Sequence, residues 1–149
     1  MKGFPDLPPI WLALCLGLTW LLASYLPLVT AFGPLFQALG WLAMAMGLGV
    51  IGWSAWWFWR KRTTIEPHHA PGRLIVEGPY RLSRNPIYLA MLVILIGYVL
   101  SKAALSPVLL PVLFAWVLQT RFILPEEQAL RDAFGAEAAR YISRTRRWL

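Results

Sequence analysis

Four long apolar stretches dominate the pattern of the chain: 9–29, 34–59, 87–105 and 106–124. Each is close to the ~20 residues that a helix needs to cross the hydrocarbon core of a bilayer. The third and fourth meet near Ser101 and Lys102 and read as a helical hairpin. The second is long and is expected to tilt or protrude. After residue 124 the pattern changes. Leu130, Ala133, Phe134, Ala138, Tyr141 and Ile142 recur at three- and four-residue spacing among polar positions, which predicts an amphipathic helix over 125–147. Pro125 suits the first turn of that helix, and Glu126 and Glu127 then lie where the helix dipole favours carboxylates. Charge compensation at a helix start is a sufficient account of this acidic pair.

The segment 63–86 reads TTIEPHHAPGRLIVEGPYRLSRNP. Pro67, Pro71 and Gly72 break it early, and a short extended stretch closed by a Gly-Pro turn follows. Leu74, Ile75 and Val76 need an apolar surface to cover, so an ordered loop packed on the bundle or the tail is expected. The predicted fold class is all-α: a polytopic membrane bundle of four transmembrane helices, an ordered cytoplasmic loop over 60–86 and a cytoplasmic amphipathic helix, in one domain over 1–149.

Composition agrees with a membrane protein. The chain is 58% hydrophobic and 14% charged, where a soluble domain is about half apolar and about a quarter charged. Lys2 and the stretch Leu12–Cys15 faintly suggest a leader with a lipoprotein box. Leu14 is too large for the position before the cysteine and the apolar run continues past it, so 9–29 is read as a retained span. Cys15 is the only cysteine, which excludes an internal disulfide and a zinc cluster. His68 and His69 read as solvated loop residues, and no metal site is expected.

The net charge of +7 is concentrated in two places. Arg60, Lys61, Arg62, Arg73, Arg81 and Arg84 lie in the middle loop; Arg131, Arg140, Arg144, Arg146 and Arg147 lie in the tail. The first turn has no charge and the hairpin turn has only Lys102. The positive-inside rule therefore places both termini and the loop in the cytoplasm, as for a bacterial inner-membrane protein. Topology and anionic lipid explain these charges, and no nucleic-acid partner is expected. Trp53, Trp56, Trp57 and Trp59 before Arg60 form an interfacial belt. Gly47, Gly49 and Gly52 spell G-x-G-x-x-G, but inside an apolar helix. A dinucleotide fingerprint needs a strand before it and a helix start after it, so close helix packing through small residues is expected instead.

A cluster of chemistry remains at the predicted cytoplasmic edge. Pro86 opens the third span, Asn85 stands at its N-cap position, and the backbone N–H groups there have no partner inside the helix. Arg81 and Arg84 add positive charge, and Tyr80 and Tyr88 add aromatic faces with hydroxyls. Arg121 ends the fourth span, just before Glu126 and Glu127. Such a set suits a zwitterionic, heterocyclic ligand at the interface.

The stretch GPYRLSRNPIYLA, an apolar hairpin, and RFILPEEQALRDAFGAEAARYISRTRRWL together resemble the isoprenylcysteine carboxyl methyltransferase family and its phospholipid methyltransferase relatives. The likeness spans about 63–149. It implies an integral-membrane methyltransferase that uses S-adenosylmethionine without a Rossmann domain, in a cytosol-facing pocket capped by the loop and the tail. By the same resemblance the cofactor would be lined by Gly72, Arg73, Leu74 and Ile75, by Gly78 and Tyr80 of the Gly-x-Tyr turn, by Asn85, Pro86, Ile87 and Tyr88 at the helix start, and by Glu126; Arg84, by its charge at that helix start, is a further candidate to bind the cofactor. Arg121 would contact substrate. Asn85 stands where eukaryotic members have His, and those members have more spans. The acceptor is left open among a carboxylate, a thiol or an amine on a membrane lipid or isoprenoid-like molecule. An amine must lose a proton, for which Glu127 is the candidate base. Two other readings fit the architecture: an NADPH-dependent membrane reductase and a non-catalytic assembly subunit.

Overall fold

Prolines mark most of the helix starts. In a computed structural model, which describes residues 6–29, 33–61 and 75–149, helix α1 spans Pro8–Tyr25, α2 spans Pro34–Lys61 and α3 spans Pro86–Lys102. A 3-10 turn, Gly78–Arg81, precedes α3. A second, Ser106–Leu109, leads into α4, Leu110–Val117, then a π-helical segment, Leu118–Ile123, and α5, Leu124–Arg144. No β-strand occurs among the described residues. Of the expected extended stretch near the loop's end, 72–74 lie outside the described residues; Gly78–Arg81 is a helical turn.

Three helical runs among the described residues are long and apolar enough to cross a membrane: Pro8–Tyr25, Pro34–Lys61 and Ser106–Arg144. Helix α3 is apolar but shorter, at 17 residues. It runs antiparallel to α2 and supplies much of the interior. Tyr88, Met91 and Leu95 of α3 meet Phe114, Leu118, Phe122 and Ile123, with Trp11, Leu12, Cys15 and Leu16 of α1 packed against them.

Contacts at the two ends fix the topology. The Leu105 N–H donates to the carbonyls of Pro27 and Val29, at 3.3 and 3.2 Å, which ties the turn after α1 to the turn after α3. At the opposite end Arg121 reaches Asp6 at 2.9 Å, and Lys61 reaches Glu77 at 2.6 Å. The start of α1, the end of α2, the start of α3 and the carboxy-terminal helix therefore share one end of the molecule.

Helix α2 touches α3 along one line. Its buried residues are Gly40, Gly47 and Ser54, spaced by seven. A Cβ on Gly97 would lie 2.5 Å from the Gly40 carbonyl oxygen, and one on Gly47 would lie 2.6 Å from the Ile94 side chain. Of the G-x-G-x-x-G glycines, only Gly47 serves close packing; Gly49 and Gly52 have nothing within 4 Å of a would-be Cβ. The period that matters is seven, because residues seven apart return to nearly the same helix face.

The tail departs from the single amphipathic helix expected over 125–147. No break separates it from the fourth apolar stretch: the helix passes through the π segment into α5. Pro125 has no N–H and its ring crowds the carbonyl four residues back, at Arg121. The widened turn over Leu118–Ile123 accommodates both effects. Farther on, the helix reverses at Gly135, whose φ of 50° and ψ of −119° are open to glycine alone. A straight helix would separate residues 20 apart by about 30 Å; instead Arg147 bonds Glu127 at 2.8 and 2.9 Å.

The glycine seam makes a specific prediction. Gly97→Ala should destabilise the protein by about 1–3 kcal/mol through overpacking against α2. Gly49→Ala should leave stability unchanged or slightly raised, because alanine favours helix. Thermal unfolding in detergent compares the two.

Candidate functional site

Glu126 and Glu127 are consecutive, so their side chains leave α5 about 100° apart. Glu127 points at two arginines. Its Oε1 pairs with Arg84 Nη2 at 3.0 Å and accepts from Arg147 Nε at 2.9 Å, and its Oε2 accepts from Arg147 Nη2 at 2.8 Å. The Arg84 and Glu127 side chains are only 10% and 9% exposed. The bonds from Glu127 hold the Arg147 guanidinium above its ordinary range, so it stays charged. Glu126 points toward α3, where the Tyr88 hydroxyl donates to its Oε1. Among the described residues Glu126 forms no ion pair.

The last residues of the chain lie across the start of α3. Arg84 donates its backbone N–H to the Arg146 carbonyl at 2.9 Å and its Nη1 to the Ile142 carbonyl at 2.8 Å. The Arg147 carbonyl accepts from Ser83 Oγ at 3.2 Å and from Asn85 Nδ2 at 3.0 Å. Trp148 Nε1 reaches Gln119 at 3.3 Å. Asn85 thus occupies the N-cap position but makes no side-chain cap; its amide holds the chain end instead. The 3-10 turn is fixed from the same side, since the Tyr141 hydroxyl donates to the Tyr80 carbonyl at 2.8 Å.

Aromatic rings form the wall behind this turn. Tyr80 is buried and meets Phe58 edge-on at 5.7 Å. Burial pushes its phenol above the ordinary range, so it remains neutral. Gly78 has a φ of 58°, and a Cβ there would collide with the Trp57 indole. The Trp57 Nε1 and the Arg84 Nε are buried without a hydrogen-bond partner.

The structure brings together Tyr88, Glu126, Arg84, Asn85 and Glu127 in one bonded group, with Tyr80 joined to it through Tyr141. Pro86 and Ile87 build the first turn of α3, and Ile87 packs on the core. Ile75 is buried at the loop's end. Gly72, Arg73 and Leu74 lie outside the described residues. Arg121 stands apart from the acidic pair: it is half exposed, pairs with Asp6 and lies over the Trp11 ring at 5.4 Å. Sequence marks Arg147 as a topology charge, Tyr141 as an amphipathic position and Trp57 as an interfacial ring, and none of them, nor Ser83, as a site residue. The glycine at 135, between two amphipathic halves, was the signal that the tail folds back and brings Arg147 to Glu127.

Comparison with known families then decides the class. The phospholipid methyltransferase family matches residues 35–137. The chain belongs to that family. It is a membrane methyltransferase, and the family favours methyl transfer over nicotinamide-dependent reduction or a purely structural role. No curated protein and no solved structure matches the chain. The family's span takes in α3, the π segment and both glutamates, but ends before the residues that clasp Glu127 from the chain end.

The two ion pairs at this end should differ in weight. Glu127→Ala removes the counter-charge of a buried guanidinium and should cost about 3 kcal/mol. Glu77→Ala breaks a pair whose partners are 32% and 42% exposed, and should cost no more than about 1 kcal/mol. Denaturant unfolding in micelles measures both.

Proposed function

We propose that the protein transfers a methyl group from S-adenosylmethionine to a lipid-like acceptor at the cytoplasmic face of a membrane that it crosses four times. The observation that supports this reading best is the Tyr88–Glu126 bond. It joins the start of α3 to the acidic start of α5 and leaves a half-buried carboxylate without a cation of its own. A carboxylate in that state is suited to a ligand that brings positive charge or hydroxyl donors. The orphaned Trp57 and Arg84 N–H groups suit the polar edges of such a ligand, and the aromatic wall suits a purine or a sulfonium. The residues present therefore fit the cofactor that the family implies.

When bound, S-adenosylmethionine supplies an electrophilic methyl group on a sulfonium. The residues of this chain position and exclude water; they need not supply covalent chemistry. Glu126 takes the ammonium or ribose end, held in place by Tyr88. Ile75, Gly78 and Tyr80 line the remaining wall. Glu127, with both oxygens engaged by guanidinium groups, holds the site together and is not free to accept a proton. An acceptor already ionised at neutral pH, such as a carboxylate, needs no such base. Arg121 lies at the end of the fourth apolar stretch and is half exposed; an acceptor's phosphate or carboxylate would exchange with Asp6 there by charge-assisted bonds.

Orientation follows from charge. Arg60, Lys61, Arg81, Arg84 and the tail arginines cluster at the end that holds the site, against only Lys102 among the described residues of the other end. That bias supports a cytoplasmic orientation for the site.

Two measurements test the reading. Glu126→Gln should weaken S-adenosylmethionine binding tenfold or more in titration calorimetry, at unchanged helical content and unfolding temperature; normal affinity would place the cofactor elsewhere. Purified protein given methyl-labelled S-adenosylmethionine and total lipid extract should put label into a lipid fraction, whose chemistry identifies the acceptor. Label in no fraction would overturn methyl transfer to a lipid.

A further inference from the structure

A cleft of about 650 Å³ opens beside the 3-10 turn and is separate from the Glu126–Tyr88 group; Val76, Arg81, Glu137, Arg140, Tyr141 and Arg144 line it. Its wall carries three guanidinium groups against one carboxylate. Arg81, Arg140 and Arg144 form no ion pair among the described residues, and Arg140 spends one N–H on the Ala136 carbonyl. The rest of their donors face the cleft or solvent. The Tyr141 hydroxyl is engaged by the Tyr80 carbonyl, so its ring acts as an apolar wall opposite Val76.

We propose that this cleft binds the phosphate of an anionic phospholipid headgroup. Guanidinium forks match phosphate oxygens in geometry and charge. The excess of positive charge favours a headgroup with net negative charge over a zwitterionic one. Depth favours a lipid over a soluble anion. Arg81 directly follows Tyr80, which packs on Phe58 at the end of α2. The exposed rings of Trp56 and Trp59 flank that residue, and such rings sit at the level of lipid headgroups. Val76 and the Tyr141 ring then offer an apolar surface to the glycerol backbone. Because Glu137, Arg140 and Arg144 lie beyond Gly135, the fold-back of the tail is what brings them to Arg81. The bound lipid would bridge the loop and the chain end.

The test uses the full chain, delipidated in neutral detergent and presented with phosphatidylglycerol or phosphatidylcholine of the same acyl chains, read by native mass spectrometry. The expected result is a one-to-one complex that prefers phosphatidylglycerol. It should weaken about tenfold or more in the combined Arg81→Gln, Arg140→Gln, Arg144→Gln variant. The Arg60→Gln, Lys61→Gln variant, outside the cleft, should keep it. Circular dichroism establishes that each variant is folded, and Arg140→Gln alone, at an exposed site, gives a weaker loss if the combined variant is not. Equal retention of both lipids, or unchanged retention in a folded variant, would overturn the proposal. Displacement by glycerol phosphate would assign the cleft to a soluble anion and also overturn it. So would displacement by S-adenosylmethionine, which would make the cleft part of the cofactor site. Neither result depends on whether methyl transfer is observed.

Discussion

Glu127 is a carboxylate almost withdrawn from water, and that condition organises the end of the molecule where the site lies. A lone charge in such a place would be neutralised or expelled. It stays because two guanidinium groups close around it, Arg147 with two hydrogen bonds and Arg84 as an ion pair. Each partner carries another segment. Arg84 sits in the turn that opens α3, and Arg147 sits on the chain end that lies across that turn. One buried charge thus fixes the loop, α3 and the tail to α5.

The neighbouring glutamate gains its character from this arrangement. On a helix, adjacent side chains point in different directions, so the clasp that saturates Glu127 leaves Glu126 facing α3. There it meets one phenol and no cation. The acidic pair divides into a residue that holds the fold and a residue with no ion pair among the described residues. Two acids at a helix start are favoured by the dipole alone, and that account covers their position. It does not cover why one is clasped and the other is not, which is decided by the fold around them.

Much of this was legible in the sequence. The four apolar stretches, the proline starts and the basic ends outlined the bundle, and the two motif blocks pointed to Tyr88 and Glu126. What the sequence did not show lies in two places where a local rule met a tertiary one. By local rules Pro125 starts a separate helix, since proline is at home there. The chain instead stays helical by widening its preceding turn, which places Arg121 in a π segment beside Asp6 and Trp11. The arginines of the tail read as topology signals, which their composition satisfies. Arg147 differs from Arg146 only in where the reversal at Gly135 delivers it, and no pattern of charge along the chain encodes that.

The same reversal explains why the site depends on the whole chain. Residues 84, 127 and 147 are far apart in sequence, and closing those loops costs entropy before the contacts return it. No single segment holds Glu126 against Tyr88: α3 supplies the phenol, α5 the acid, and the chain end the clasp that sets the angle between them. Helix α2 contributes through its seam with α3 and through Trp57 and Phe58, which back the turn at Gly78 and Tyr80. A ligand in this place would meet groups from α2, α3, α5 and the chain end together. The carboxy-terminal residues that lie outside the family's matched span are therefore part of what holds the site in shape.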